Sequence, residues 1–142
     1  MKMRNEEIER FVKYCLVGVL NTLVTLGVIF ITKSILDWNP YFCNALGYVA
    51  GVTNSFLWNK NWVFHSTGGY RSEGFRFLCG FGVCYLLQLA VVFALNSTSF
   101  GDIEIDCVWF VVSGYGLATL AGNVVYTVAN FIYNRLITFK QS

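Results

Sequence analysis

Residues 14–32, YCLVGVLNTLVTLGVIFIT, carry no charged side chain, and Lys13 and Lys33 close the run at its two ends. A helix rises about 1.5 Å per residue and a bilayer's hydrocarbon core is about 30 Å thick, so roughly 20 apolar residues span it. The run is just long enough. Working outward, three further charge-free intervals lie between Asp37 and Lys60, between Arg76 and Asp102, and between Asp106 and Arg135. Each passes the same length test. Membrane strands would be about 10 residues long with alternating polarity, whereas Val83 to Leu95 does not alternate. The pattern predicts an all-α integral membrane protein, a single domain over 1–142. Its four transmembrane helices are expected near 10–33, 40–60, 75–96 and 106–135, with a cytoplasmic loop at 61–74.

Composition agrees. The 142 residues are 56% hydrophobic and 13% charged, against roughly 25% charged in a soluble domain. The first ten residues include Glu6, Glu7 and Glu9, and no small-residue cleavage site follows, so the N-terminus reads as retained helix rather than a cleaved signal. Glu6 with Arg10 and Glu9 with Lys13 are spaced to pair along a polar turn that starts near Asn5. All Lys and Arg except Lys33 fall in the N-terminal segment, the central loop or the C-terminal end, while Asp102, Glu104 and Asp106 sit in the third loop. The positive-inside rule then places both termini and the central loop in the cytoplasm of an inner-membrane protein.

Reactive side chains are sparse. The five cysteines lie in or beside apolar runs and read as small hydrophobes, and His65 reads as a solvated loop residue beside Ser66, Thr67, Gly68 and Gly69. Asn96-Ser97-Thr98 matches a glycosylation acceptor that matters only in a eukaryotic secretory membrane. No His, Asp, Glu or Cys arrangement in the spans has acid–base, nucleophile or metal-ligand spacing. We expect no enzyme activity, no metal or cofactor, and no nucleic-acid partner.

The chain repeats itself. A shift of 75 residues aligns Phe56, Asn59, Lys60 and Phe64 with Phe131, Asn134, Arg135 and Phe139, and Gly47 with Gly122. A weaker shift of 64 places Phe11 and Gly18 on Phe75 and Gly82. Each half is then a helical hairpin, and two crossings per half make the repeats parallel, about an axis along the membrane normal.

Polar residues within the spans form stripes at helical spacing: Gly18, Asn21, Thr22 and Thr25; Asn44, Gly47, Gly51, Asn54, Ser55 and Trp58; Gly116, Thr119, Asn123, Thr127, Asn130 and Asn134. One account is packing, since small residues admit close approach and amides join helices at about 0.6 kcal/mol each. The other is a groove for a neutral, hydroxyl-rich group such as a sugar, because Asn both donates and accepts without a charge's desolvation cost. Lys13, Lys60, Arg76 and Arg135 each stand at the cytoplasmic edge of a different helix. Singly they anchor the helices, but as a group they suit an anionic phosphate. Phosphate above a sugar groove points to a lipid phosphosugar.

Phe11-Val12-Lys13-Tyr14, Val17-Gly18 and Asn21-Thr22, then Asn54-Ser55-Phe56, Asn59-Lys60, Trp62 and Phe64, then Asn130-Phe131, Asn134-Arg135 and Phe139, together resemble the GtrA-like family over nearly the whole chain. The third helix, with Arg76, Gly80, Gly82 and Gln88, matches least. The resemblance implies a small four-helix protein that moves a polyprenyl-phosphate-linked monosaccharide across the cytoplasmic membrane for surface-polysaccharide glycosylation. On that reading Lys13, Lys60, Arg76 and Arg135 hold phosphate, and Asn21, Thr22, Asn54, Asn59, Asn123, Asn130 and Asn134 meet the sugar headgroup. A glycosyltransferase partner, surrounding lipids and a homodimer or larger homo-oligomer with its Gly faces at the contacts complete the expectation. Two other classes stay open: a non-transporting subunit that anchors a glycosyltransferase, and a proton-coupled exporter, which would need the intramembrane carboxylate that these spans lack.

Overall fold

The computed structural model describes residues 2–98, 104–107 and 110–140. The chain divides into two compact units, one through Gly69 and one from Tyr70 to Lys140.

In the first unit, α1 (Lys2–Phe30) runs into a π-helical turn, π1 (Ile31–Ile35), and α2 (Pro40–Trp58) into a second, π2 (Asn59–Val63). Helix α1 starts well before the expected residue 10. Ion pairs at helical spacing, Glu7 with Arg10 at 3.7 Å and Glu9 with Lys13 at 2.6 Å, run along that segment. Such pairs stabilise a helix in water by about 0.2–0.5 kcal/mol each, with no help from lipid. Helix α2 starts where Asn39 Oδ1 accepts the Tyr41 N–H at 2.9 Å and Pro40 fills the first position, which needs no donor.

Both π-turns end alike. Leu36 N–H donates to Ile31 O at 3.2 Å and Trp38 N–H to Thr32 O at 3.1 Å; Phe64 N–H donates to Asn59 O at 2.9 Å and Ser66 N–H to Lys60 O at 2.8 Å. Between each pair one residue turns left-handed, Asp37 at φ 49° and His65 at φ 48°. That conformation folds the chain back onto the last carbonyls, and Asp and His are among the non-glycine residues most often found in it. At the first cap Lys33 Nζ lies 2.9 Å from Asp37 Oδ1. That hydrogen bond, then the lysine charge, keeps the exposed Asp37 carboxyl below its ordinary range.

The second unit contains α3 (Tyr70–Asn96), a short antiparallel pair β1 (Glu104–Cys107) and β2 (Phe110–Ser113), then α4 (Gly114–Tyr133) and a third π-turn, π3 (Asn134–Thr138). Helix α3 begins at Tyr70 rather than 75, directly after Gly68-Gly69, with Glu73 in its first turn where the helix dipole favours a carboxylate. The expected 61–74 loop is thereby shortened to residues 64–69. The all-α expectation and the start of the fourth helix at 106 need correction: Glu104 pairs with Ser113 and Cys107 with Phe110. Ile105, Val111 and Val112 are β-branched residues that suit a strand. Ser113 Oγ then accepts the Gly116 N–H at 3.2 Å and starts α4. Asp102, part of the third loop's acidic signal, lies outside the described residues.

Glycines bring the helices of each unit together. A Cβ on Gly47 would stand 2.7 Å from Ile29 Cγ1, and one on Gly51 would overlap Thr25 Oγ1. In the second unit a Cβ on Gly122 would stand 2.7 Å from Val92 Cγ2, and one on Gly80 would overlap the Tyr133 ring. These faces serve contacts within a hairpin, which corrects their assignment to contacts between protomers. Among the described residues, two helices, Asn5–Ile35 and Tyr70–Asn96, are long and apolar enough to cross a bilayer, each with mean hydropathy 2.2 over its best window, of which only 11% is buried. Leu23, Leu26, Leu86 and Phe93 project outward from them. Such a surface suits hydrocarbon and not water.

Gly51→Val and Gly80→Val should therefore destabilise the protein by about 1–3 kcal/mol through overpacking. Gly18→Val and Gly82→Val, at positions where a Cβ meets nothing within 4 Å, should leave it unchanged. Thermal unfolding in detergent compares the four.

Candidate functional site

In the first unit the sequence-selected residues fall into three settings. Lys13, half-buried on α1, pairs with Glu9 and holds its Nζ 5.8 Å from the Trp62 ring centroid, so α1 and π2 meet at one end of the hairpin. Deeper along the helices Asn54 Nδ2 donates to Asn21 Oδ1 at 2.8 Å. Thr22 is not part of this contact: it is exposed and its hydroxyl donates to Gly18 O of its own helix at 3.2 Å. At the start of π2, Asn59 Nδ2 donates to Ser55 O at 2.8 Å and to Ser55 Oγ at 3.2 Å. Lys60 is 2% exposed, and its Nζ donates to Ser66 O at 3.1 Å and Gly68 O at 2.6 Å. It ties the loop to the helix end, a use of this cation that the sequence reading missed.

The second unit has its own amide contact, Gln88 Nε2 donating to Asn123 Oδ1 at 2.6 Å. Towards π3 a chain of polar groups runs along α4: Asn134 Nδ2 lies 3.4 Å from Asn130 Oδ1, and Asn130 Nδ2 lies 3.4 Å from the Tyr126 hydroxyl. Asn130 and Asn134 are buried, whereas Arg76 and Arg135 are exposed. Phe77 and Phe139 pack with ring centroids 6.2 Å apart, which puts the start of α3 beside the end of π3. Asn59 Oδ1, Asn134 Oδ1 and Thr138 Oγ1 are buried with no hydrogen-bond donor. Thr138 was not anticipated; the signal was the 75-residue shift, which sets it on Val63.

The stripes are narrower than the spacing suggested. Asn44 and Trp58 are exposed, Gly18 is open, and the hydroxyls of Thr119 and Thr127 donate to Tyr115 O and Asn123 O of their own helix. A four-residue step advances a helix slightly past one turn, so a stripe drifts around the axis and only part of it stays at the contact.

Burial also resets one repeat. Gly47 meets Ile29 and the Thr25 backbone, and Gly122 meets Val92 and Gln88. With Gly47 on Gly122, Thr25 falls on Gln88 and Ile29 on Val92, a shift of 63 rather than 64. The same shift sets buried Tyr14 on buried Phe77, and Lys13 on Arg76. Gly18 and Gly82, matched by the 64-residue shift, are positions where a Cβ would meet nothing within 4 Å.

The family model for the GtrA/DPMS transmembrane domain matches residues 13–139. The chain is 26% identical over 144 residues to the cell wall teichoic acid glycosylation protein GtcA of Listeria monocytogenes, covering 95% of this chain and 88% of that protein. It is 23% identical over 135 residues to the bactoprenol-linked glucose translocase of Shigella phage SfV, covering 95% and 98%. Against the translocase of the same name from Salmonella phage P22 it is 24% identical over 133 residues, covering 94% and 97%.

A double-mutant cycle on Asn21 and Asn54 should give a coupling of about 0.6 kcal/mol, as should one on Gln88 and Asn123. Pairing Thr22 with Asn54 instead should give none within error. Equilibrium unfolding in mixed micelles reads all three.

Proposed function

The chain belongs to the GtrA/DPMS transmembrane-domain family, and from that premise we propose that it flips a polyprenyl-phosphate-linked monosaccharide across the cytoplasmic membrane. The product would serve glycosylation of a cell-surface polysaccharide. The observation that carries this reading is the pair of buried amides, Asn59 and Asn134, at equivalent positions of two hairpins whose outer surface is apolar. Buried polar groups in a membrane domain are costly and are kept for packing or for a ligand. The names of the phage relatives favour the ligand.

In this reading the four helices cross the bilayer with both termini and the 64–69 loop in the cytoplasm, as the Lys and Arg distribution favours. The phosphate docks on the second hairpin's Arg76 and Arg135, whose guanidinium groups offer planar forks. In the first hairpin Lys13 offers a point charge, while Lys60 fixes the loop. The sugar meets Asn21, Asn54, Asn59, Asn123, Asn130 and Asn134 in passing, while the prenyl chain stays in lipid. Consumption of the product by an outer-leaflet glycosyltransferase drives net movement, with no covalent step on this chain. Apposition of two copies would enlarge the polar path; their contact would use faces other than Gly47, Gly51 and Gly122, which are engaged within hairpins.

Proteoliposomes holding labelled polyprenyl phosphoglucose test the idea. Arg76→Gln with Arg135→Gln should slow exchange between leaflets about tenfold or more, the rate equivalent of about 1.4 kcal/mol, with the melting temperature unchanged. Exchange at the wild-type rate would remove the phosphate role. Exchange that appears only when a glycosyltransferase is added would favour an anchoring subunit instead.

A further inference from the structure

Asn59 and Asn134 are 1% and 0% exposed, and each opens a π-turn at the same place in the repeat. Asn59 must aim its NH2 at Ser55 O, 2.8 Å away, because an oxygen there would face another oxygen. For Asn134 the neighbours do not decide by themselves, since the Tyr126 hydroxyl beside Asn130 can donate or accept; in the structure its Nδ2 lies 3.4 Å from Oδ1 of Asn130, the repeat equivalent of Ser55. In both hairpins the donor half of the amide is committed to residue i−4 and the acceptor half is left facing the interior without a donor. Thr138 Oγ1, 1% exposed and one π-turn beyond Asn134, adds a third orphaned acceptor in the second hairpin.

A buried acceptor without a donor is destabilising, and each instance in a native protein calls for a cause. Here the arrangement occurs twice, at positions 75 residues apart, so a chance packing defect is a poor account. What would satisfy these atoms is a neutral O–H or N–H donor of small size. A cation would need more oxygens than one Asn and one Thr supply.

Resting on the flipping reading above, we propose that Asn59 Oδ1 in the first hairpin, and Asn134 Oδ1 with Thr138 Oγ1 in the second, are acceptor sites for hydroxyl groups of the carried sugar. The two hairpins thus present one hydroxyl-reading step each, and Thr138 makes the second step the more demanding. Burial keeps water away, so a hydroxyl that reaches these oxygens meets little competition. All three sit in π-turns, a rarely adopted helical form that recurs at functional sites. A site built to bond a hydroxyl discriminates strongly against an analogue that lacks it.

The protein in lipid nanodiscs is titrated with a short-chain polyprenyl phosphoglucose and with the bare polyprenyl phosphate, and leaflet exchange is followed in parallel liposomes. Wild type should bind the glucose-bearing lipid about tenfold more tightly than the bare phosphate. Asn59→Leu and Asn134→Leu should each remove most of that preference, on the order of fivefold, and Thr138→Val about threefold, with affinity for the bare lipid phosphate held within about twofold. Thr138→Val decides the matter if the Asn variants fail to fold, because Val63 already occupies the equivalent place in the first hairpin. Preference retained by Thr138→Val and by each Asn variant that folds would overturn the assignment while wild-type exchange leaves the flipping reading standing. Wild type without preference and without exchange would overturn both.

Discussion

Close approach of helix backbones at glycine is what the rest of this structure depends on. In hydrocarbon, apolar side chains gain little by leaving lipid for a neighbouring helix, so pairing rests on van der Waals fit and interhelical hydrogen bonds. Gly47 and Gly51 let α2 lie against Thr25 and Ile29, and Gly122 does the same for α4 against Gln88 and Val92. Only at that distance can Asn54 reach Asn21 and Gln88 reach Asn123. Packing and polar placement are thus one feature. A side chain larger than hydrogen at these glycines would separate both the backbones and the amides.

The π-turns solve a second problem, how to finish a membrane helix while keeping its polar end in order. Asn59 and Asn134 are buried at the first position of each turn, and the buried Phe64 and Phe139 follow directly after it. Phe64 N–H to Asn59 O and Phe139 N–H to Asn134 O, at 2.9 Å and 2.8 Å, close the two turns in the same way. An α-helical continuation would rotate the next residues by a different angle and lose these closing backbone bonds. The sequence pattern of Asn, cation and then Phe is therefore the signature of a wound end and not only of a composition.

How much was readable from sequence follows from which forces act at each place. Helix number came from charge-free length, because the cost of a charge in lipid is large and leaves a plain record. The 75-residue repeat came through because Asn, a cation and Phe have distinct jobs at a π-turn. Its partner repeat was set one residue out, since Gly18 and Gly82 match in type but both stand where a Cβ would meet no other element. Only the contacts of Gly47 and Gly122 fix the register. Nor does lack of charge separate a strand pair from a helix, which is why 104–113 was assigned to loop and helix. The stripes were overread for a related reason: Thr22, Thr119 and Thr127 bond their own helices, as hydroxyls at such positions do.

Equivalent cations have diverged, and the chemistry of each side chain explains how. Lys60 and Arg135 occupy the same repeat position, yet Lys60 is buried with two loop carbonyls converging on its ammonium, while Arg135 is exposed. A compact ammonium with rotatable donors suits converging backbone oxygens, whereas a planar guanidinium suits a fork of parallel acceptors such as phosphate oxygens. The pair Lys13 and Arg76 repeats the contrast at the helix starts: the lysine is held by Glu9 and the Trp62 face, and the arginine is exposed. In both pairs the first hairpin's cation is held by the named groups of its own hairpin, and the second hairpin's arginine is exposed. Two hairpins with one backbone plan are thereby made unequal in how they use the equivalent cation.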